Sequence, residues 1–403
     1  MPHGDRTSAP EIVINGRFLM QPVTGVQRVA RELVRAMDRL AAENPARARL
    51  RLVCEQGADL ADLDLRVTAV ERAGGPGGHL WEQVVLPRHL RGGHLLCLGN
   101  TAPIAALASG VAVTVLIHDL SYRQFPRAYR WHYRLGHRIM LPFLLRRART
   151  ILTVSETEKG VLGGLRPAAL PRIRVARNGG WRDGAVERRP APPPMDGAAS
   201  GYVLYVGSLN ARKNVHGVLA TAIRLAREDG IGTLLVGAGS EILTPVAARI
   251  PADLRHLVRL VGAVTDLDQL AEIYRGAACL LFPSYYEASP LPPVEAMSFG
   301  CPVIVSAIPA MTERCGRAAV YCNPGSVDEM VAAVRATVRD PARIADRIEQ
   351  GYAAAERWTW RSQAQAVFSA LLDGAPANQA RPAHDLGEGA IRTAREQTAA
   401  TSL

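Results

Sequence analysis

Short β-branched runs and stretches of helical periodicity alternate along most of the chain. "EIVIN", residues 11–15, is a compact apolar run of strand length. In the stretch "TGVQRVARELVRAMDRLAA" that follows, Val26, Val29, Ala30, Leu33, Met37 and Leu40 recur every three or four residues, which places them on one helix face. Thr24 and Gln27 stand at capping-box spacing ahead of that face. Further strands are predicted at "LRLVC", "HLLCL", "VAVTVLI" and "TILTV", and later at "YVLYV", "GTLLV", "VRLVG", "ACLLF", "PVIVS" and "AAVYC". Helical segments lie between most of them. This βαβα rhythm predicts an α/β fold with parallel sheets covered by helices on both faces.

With 403 residues the chain exceeds one ordinary core, so two domains are expected. A Pro/Ala/Gly-rich stretch without periodicity, residues 185–201, reads as the linker between residues 11–184 and residues 202–356. Residues 357–373 hold a last helix, "RWTWRSQAQAVFSALL", expected to pack back on the first domain because Trp358 and Trp360 need a surface. The polar, aperiodic residues 374–403 read as a disordered tail. Two doubly wound halves facing each other would bind ligands at the carboxyl ends of their strands.

Composition narrows the class. Hydrophobic residues at 48% and charged residues at 21% exclude a disordered chain. Six scattered cysteines with no C-x-x-C pair are expected as buried thiols in a reducing cytoplasm. The first eleven residues show no apolar stretch of the signal-peptide kind, and the run ending at His118 is too short and polar to span a bilayer. A cytoplasmic protein is expected, with attachment to the inner face of the plasma membrane as its peripheral variant. The net charge of +11 calls for an anionic partner.

Two stretches carry candidate chemistry. In "YVLYVGSLNARKNVHGVLATAI" a strand leads through Gly207 and a polar loop to a helix starting near Val215, with Asn214 placed to cap it. Arg212 and Lys213 stand before that helix, where its dipole and their charges would both favour a diphosphate. A solvated basic turn is the plain alternative. In "FPSYYEASPLPPVEAMSFGCPVIVS", Glu287 falls in the loop after a strand, and Glu295 in the first turn of a helix opened by Pro292 and Pro293. Glu295 could accept hydrogen bonds from a ribose or merely complement the helix dipole.

The second stretch resembles the E-x7-E signature of retaining glycosyltransferases of family four, enzymes of GT-B architecture with two facing Rossmann-like domains. "NGRFLMQPVTGVQRVARELVRAM", "LIHDLSY", "TVSETEKGVL", "RNGGW", "VGSLNARKN" and "LVGAGSE" appear with it in family order, so the resemblance covers residues 11–373. It implies that Arg212 and Lys213 bind the donor diphosphate and stabilise its departure. It makes Glu295 the ribose ligand, Glu287 the acid facing the donor sugar, and His118 a sugar contact from the first domain. Gly25 becomes the close approach to the phosphates, and backbone groups near Val264 and Thr265 the hold on the base. Leu291 joins this donor-binding set, while Ser155 and Asn178-Gly179 line the cleft. The implied reaction moves a hexose, mannose in the first instance, from a GDP- or UDP-linked donor to a glycan or lipid-linked acceptor of cell-surface polysaccharide synthesis. No cofactor and no metal is expected, since the basic pair already meets the phosphates. The two D-x-D triplets, Asp62-Leu63-Asp64 and Asp266-Leu267-Asp268, read as a polar turn and a helix cap.

One departure is plain. Family members usually carry Gly-Phe-Gly where this chain has Ala288, Ser289 and Pro290, and proline offers no N–H to a ligand. A non-catalytic nucleotide-sugar-binding partner therefore stands as an alternative, beside another GT-B enzyme such as an epimerase. A phosphorylase is less favoured, because a cofactor lysine would have to come from only two lysines, Lys159 and Lys213.

Residues 121–150 contain eight arginines and no carboxylate. Arg130, Arg134 and Arg138 repeat every four residues, with Trp131, Tyr133, Leu135 and Ile139 interleaved. A solvated helix face and an anionic-membrane contact through residues 123–149 are both open readings. No nucleic-acid module appears, so nucleic acid is not an expected partner.

Overall fold

The structure, a computed structural model, describes residues 9–188, 201–238 and 246–372. Most of the expected linker, residues 189–200, and the expected tail, residues 374–403, lie outside the described residues.

The first sheet contains β1 (Glu11–Asn15), β2 (Arg49–Glu55), β3 (Ala69–Ala73), β4 (His94–Cys97), β5 (Val113–Ile117), β6 (Thr150–Thr153) and β7 (Ile173–Val175). The second contains β8 (Tyr202–Val206), β9 (Thr233–Val236), β10 (Val258–Val261), β11 (Ala277–Phe282), β12 (Val303–Ser306) and β13 (Ala319–Cys322). Their spatial orders are β3-β2-β1-β4-β5-β6-β7 and β10-β9-β8-β11-β12-β13. Every strand pair is parallel. Chain direction therefore switches sides between β1 and β4, and again between β8 and β11, which opens a crevice at the carboxyl ends of those strands.

Burial explains the apolar runs. Ile12, Val13 and Ile14 of β1 are all fully buried, so alternation would have left a polar side chain under a helix. Two strands, β3 and β7, escape the apolar-run pattern. In β3 most residues are exposed, and Glu71 pairs with Arg51 of β2 at 2.6 Å, a charged finish suited to an edge. β7 has only three residues.

The helix Trp360–Leu372 returns to the first domain. Trp360, Ala364, Val367, Phe368 and Leu371 share a core with Val29, Leu33 and Met37 of the helix Gly25–Glu43. The Trp360 ring covers Gly179, where an added Cβ would sit 2.4 Å from a ring carbon. Its indole Nε1 donates to the Gly180 carbonyl at 3.0 Å. Asn178 and Gly179 thus depart from the cleft-lining expectation. Their carbonyls accept from Arg314 of the second domain, and the Asn178 Oδ1 accepts from Gln363 at 2.9 Å. The backbone here is a joint between domains, with the carbonyls of Asn178, Gly179 and Gly180 all taken by side chains.

Candidate functional site

The cationic loop is held rigidly. Asn214 caps the helix Val215–Asp229 from a left-handed backbone conformation (φ 56°), which asparagine tolerates, and its Oδ1 accepts from Gly217 N at 3.2 Å. The other side-chain atom, Nδ2, donates to the Pro324 carbonyl at 2.7 Å. Lys213 N donates to Asn210 Oδ1 at 3.0 Å, and the Arg212 carbonyl accepts from Tyr285 N at 2.9 Å. The loops after β8 and β11 are therefore stitched to each other at the switch point.

Their side chains meet on Glu287. Lys213 Nζ stands 2.7 Å and Arg212 Nη1 3.3 Å from its Oε1, with all three side chains largely buried. Arg212 Nη1 also donates to the Tyr286 carbonyl at 2.9 Å, and Lys213 lies 4.7 Å over the Phe282 ring. Burial pushes the Glu287 carboxyl up, but the Lys213 ammonium and Arg212 guanidinium outweigh it and hold it below the usual range. Burial lowers the Lys213 ammonium despite Glu287. For Arg212, Glu287 and Asp119 overcome burial and raise it. Two cations thus meet one carboxylate directly, with Asp119 of the first domain as the next acid acting on them.

Across the crevice, His118 and Asp119 follow the last residue of β5. His118 is buried, and its Nε2 lies 2.8 Å from the Leu98 carbonyl. A carbonyl only accepts, so Nε2 carries the proton and Nδ1 is the acceptor of a neutral ring. Burial lowers this imidazole below its ordinary value, which keeps it neutral. Its backbone N donates to Asn100 Oδ1 at 2.7 Å. Asp119 Oδ1 accepts from Ser121 N at 3.1 Å and from its Oγ at 2.7 Å. Behind them, at the first sheet's own switch point, buried Glu82 accepts from Asn15 Nδ2 at 2.6 Å and from Thr101 Oγ1 at 2.8 Å, with Arg17 at 3.3 Å.

Glu295 sits in the first turn of the helix Pro292–Ser298, and its partners are not the cationic pair. Tyr274 Oη donates to its Oε2 at 2.7 Å, and Arg28 Nη1 of the first domain lies 2.6 Å from Oε1. Arg28 belongs to the first turn of the helix opened by Gly25, whose missing Cβ would meet nothing within 4 Å. Arg28, three residues after Gly25, thus pairs with Glu295, while Arg212 and Lys213 pair with Glu287. Val264 lies in the loop after β10, partly buried against the second-domain core. Leu291 is a different case. Its side chain is buried with Ala288 in the core of the first domain, so any donor contact there is left to the backbone. Ser155 Oγ serves as a helix cap, accepting from Glu158 N at 3.1 Å.

The Ala288-Ser289-Pro290 departure has a visible place. Ala288 is core, and the Pro290 carbonyl lies 3.4 Å from Arg314 Nε, the same guanidinium that holds Asn178 and Gly179. Both D-x-D triplets are structural. Asp62 pairs with Arg31 and Arg35, while Asp266 caps the helix Leu267–Gly276.

Sequence reasoning passed over Glu158, Tyr286 and Arg28. Glu158 is fully buried, and burial together with the Asp119 charge pushes its carboxyl up to about 7 despite bonds from Tyr286 and Leu120 N. An acid in a first turn looks like ordinary helix-dipole chemistry, so nothing in the sequence marked it.

Comparison with known proteins fits this geometry. Residues 200–340 match the model of the family described as "Glycosyl transferases group 1". The O-antigen chain mannosyltransferase B of Escherichia coli is 30% identical over 170 residues, 41% of this chain and 44% of that protein. The glycogen synthase of Mycobacterium tuberculosis is 30% identical over 241 residues, 57% of this chain and 55% of that protein. The chain thus spans about half the length of the curated relatives it matches. Among solved structures, Anabaena HepE in complex with UDP-glucose superposes with a TM-score of 0.65 at 17% identity, covering 90% of this chain and 100% of that one. The two parallel Rossmann-like sheets with their helices form the GT-B architecture, and the stretch that matches the glycosyl transferases group 1 model, residues 200–340, falls in its second half.

Proposed function

We propose that the protein is a retaining glycosyltransferase that takes a hexose, mannose in the first instance, from a GDP- or UDP-linked donor. The acceptor is a lipid-linked or growing polysaccharide of the cell surface, and the protein works at the cytoplasmic face. The observation that carries the reading is the convergence of Arg212 and Lys213 on Glu287 at the β8/β11 switch point, opposite His118 and Asp119. The similarity to O-antigen mannosyltransferase B supports mannose, and the HepE complex supports a nucleoside diphosphate sugar as donor.

In this mechanism the diphosphate lies against Arg212 and Lys213. Charge grows on it as the glycosidic bond lengthens, and preorganised cations in a crevice stabilise that charge without reorganising. Glu287 limits the mobility of both cations and faces the sugar. The neutral His118 offers Nδ1 as an acceptor to a sugar hydroxyl. The departing phosphate takes the acceptor's proton on the same face, so retention needs no enzyme nucleophile, and the two glutamates are not a glycosidase pair. The cations do for the phosphates what a divalent metal would do, which supports a metal-independent reaction.

Ribose binding must take Glu295 from Arg28. Titration with UDP and GDP should show saturable binding of one of them, with a raised melting temperature. Glu295→Ala should weaken that affinity by about tenfold, the value of a charge-assisted hydrogen bond of about 1.5 kcal/mol. Unchanged affinity removes the ribose role. Hydrolysis of the bound donor without acceptor separates an enzyme from a non-catalytic binding partner.

The reading extends to a membrane contact on the acceptor side. The helix Trp131–Arg147 exposes Trp131, Leu135, Ile139 and Phe143, one every fourth residue, with exposed Arg130 and Arg138 beside them. Among the described residues no helix is long and apolar enough to cross a membrane. Replacing Arg130, Arg134 and Arg138 by Gln should weaken sedimentation with anionic vesicles roughly a hundredfold, at about 1 kcal/mol per cation. Unaltered co-sedimentation removes this contact.

A further inference from the structure

Successive residues of the loop after β11 reach into different domains. Glu287 turns back to Lys213 and Arg212, while Tyr286 points into the first domain. The Tyr286 hydroxyl lies 2.9 and 3.0 Å from the two oxygens of Glu158, and 3.4 Å from Leu120 N. Its ring packs against Phe125 with centroids 6.4 Å apart. Glu158 is fixed in turn, accepting from Leu120 N at 3.0 Å, with its own N bonded to Ser155 Oγ at 3.1 Å. At the backbone end of the same tyrosine, the carbonyl accepts from Arg212 Nη1 at 2.9 Å.

One residue thus has the cationic site at its carbonyl and the acceptor-side domain at its hydroxyl. We infer that Tyr286 is a positioning residue which, through Glu158, sets Arg212 in register with the residues of the first domain. The inference rests on the nucleotide-sugar reading of the site. A fully buried carboxyl is costly, and an apolar contact would seal the boundary without that cost. What the polar pair adds is direction: a phenol and a carboxyl shielded from water hold one geometry, and Asp119 stands next to the bonded Leu120. Holding a diphosphate calls on Arg212 and Lys213 of the second domain, with the Gly25 backbone as the first domain's contribution, and neither depends on the Tyr286 hydroxyl. Bond cleavage also calls on the alignment of the two domains, so the two quantities should separate.

The test uses Tyr286→Phe, Glu158→Ala and Glu158→Gln in the full chain. Affinity for UDP and GDP is measured by calorimetry, and turnover as hydrolysis of UDP-glucose and GDP-mannose. Tyr286→Phe and Glu158→Ala should lower kcat about tenfold, equivalent to the loss of one hydrogen bond, while nucleotide affinity stays within about twofold. Glu158→Gln keeps an oxygen acceptor for Tyr286 and Leu120, and should retain most of the turnover. Wild-type kcat in Tyr286→Phe overturns the inference, and so does an affinity loss that parallels the loss of kcat. If Glu158→Ala fails to fold, Tyr286→Phe decides alone, since it removes a single oxygen atom. A wild-type chain that binds neither nucleotide would overturn the site reading and this inference together. Binding and turnover with an indifferent Tyr286→Phe overturn only the inference.

Discussion

Lys213→Met should lower turnover between about tenfold and a hundredfold, the range expected when a charge-assisted bond to the leaving group is lost. The ammonium stands 2.7 Å from Glu287, and methionine keeps most of its apolar stem over Phe282. Two effects are therefore separable. One is catalytic, because charge on the departing diphosphate appears only as the bond breaks, so kcat should fall more than donor KM rises. The other is structural, because Glu287 then stays buried with Arg212 as its remaining cation at 3.3 Å. Leaving a buried carboxylate short of a partner lowers stability. The double change Lys213→Met with Glu287→Gln should recover the melting temperature and leave turnover low. Wild-type turnover in Lys213→Met would remove the diphosphate role, whatever the melting temperature did.

Fold and site were not equally legible. Strands buried on both faces show up as unbroken apolar runs, so the central strands of both sheets stand out in the sequence. The edges do not. β3 is mostly exposed and carries Glu71 and Arg72, because an edge strand needs charge more than apolar surface. The helix of Gly25–Glu43 was legible because one stripe of it faces a core.

At the site, sequence distinguished the loops that matter but not the partners within them. Glu287 lies 74 residues beyond Lys213 and 75 beyond Arg212, and their convergence follows from strand order. Glu295 illustrates the harder case. Its place in a first turn follows from the two prolines, yet the ion pair with Arg28 depends on how the two domains face each other, which local pattern does not encode. The same holds for Glu158, whose tyrosine partner lies 128 residues away. Asn178-Gly179 misled for the opposite reason. A small polar pair at a strand end looks like a ligand approach, but the space belongs to the Trp360 ring.

That ring yields the largest expected effect on stability. Trp360→Ala should cost about 3–5 kcal/mol, the range for removing a buried aromatic side chain from a core. Trp360 is 2% exposed, and it joins the last helix to both the first-domain core and the Gly179-Gly180 backbone. Denaturant unfolding should show the loss in the transition that reports the first domain. Trp360→Phe keeps a ring but loses the Nε1 bond to the Gly180 carbonyl, and should cost less. Gly179→Ala drives a Cβ to 2.4 Å from the indole and should destabilise by overpacking. The two defects oppose one another: a methyl group at 179 enters the space that Trp360→Ala vacates. The double variant should therefore lose less than the sum of the singles, a coupling expected of residues in contact. Strict additivity, or an unfolding transition unmoved by Trp360→Ala, would mean that the last helix is not docked through this ring.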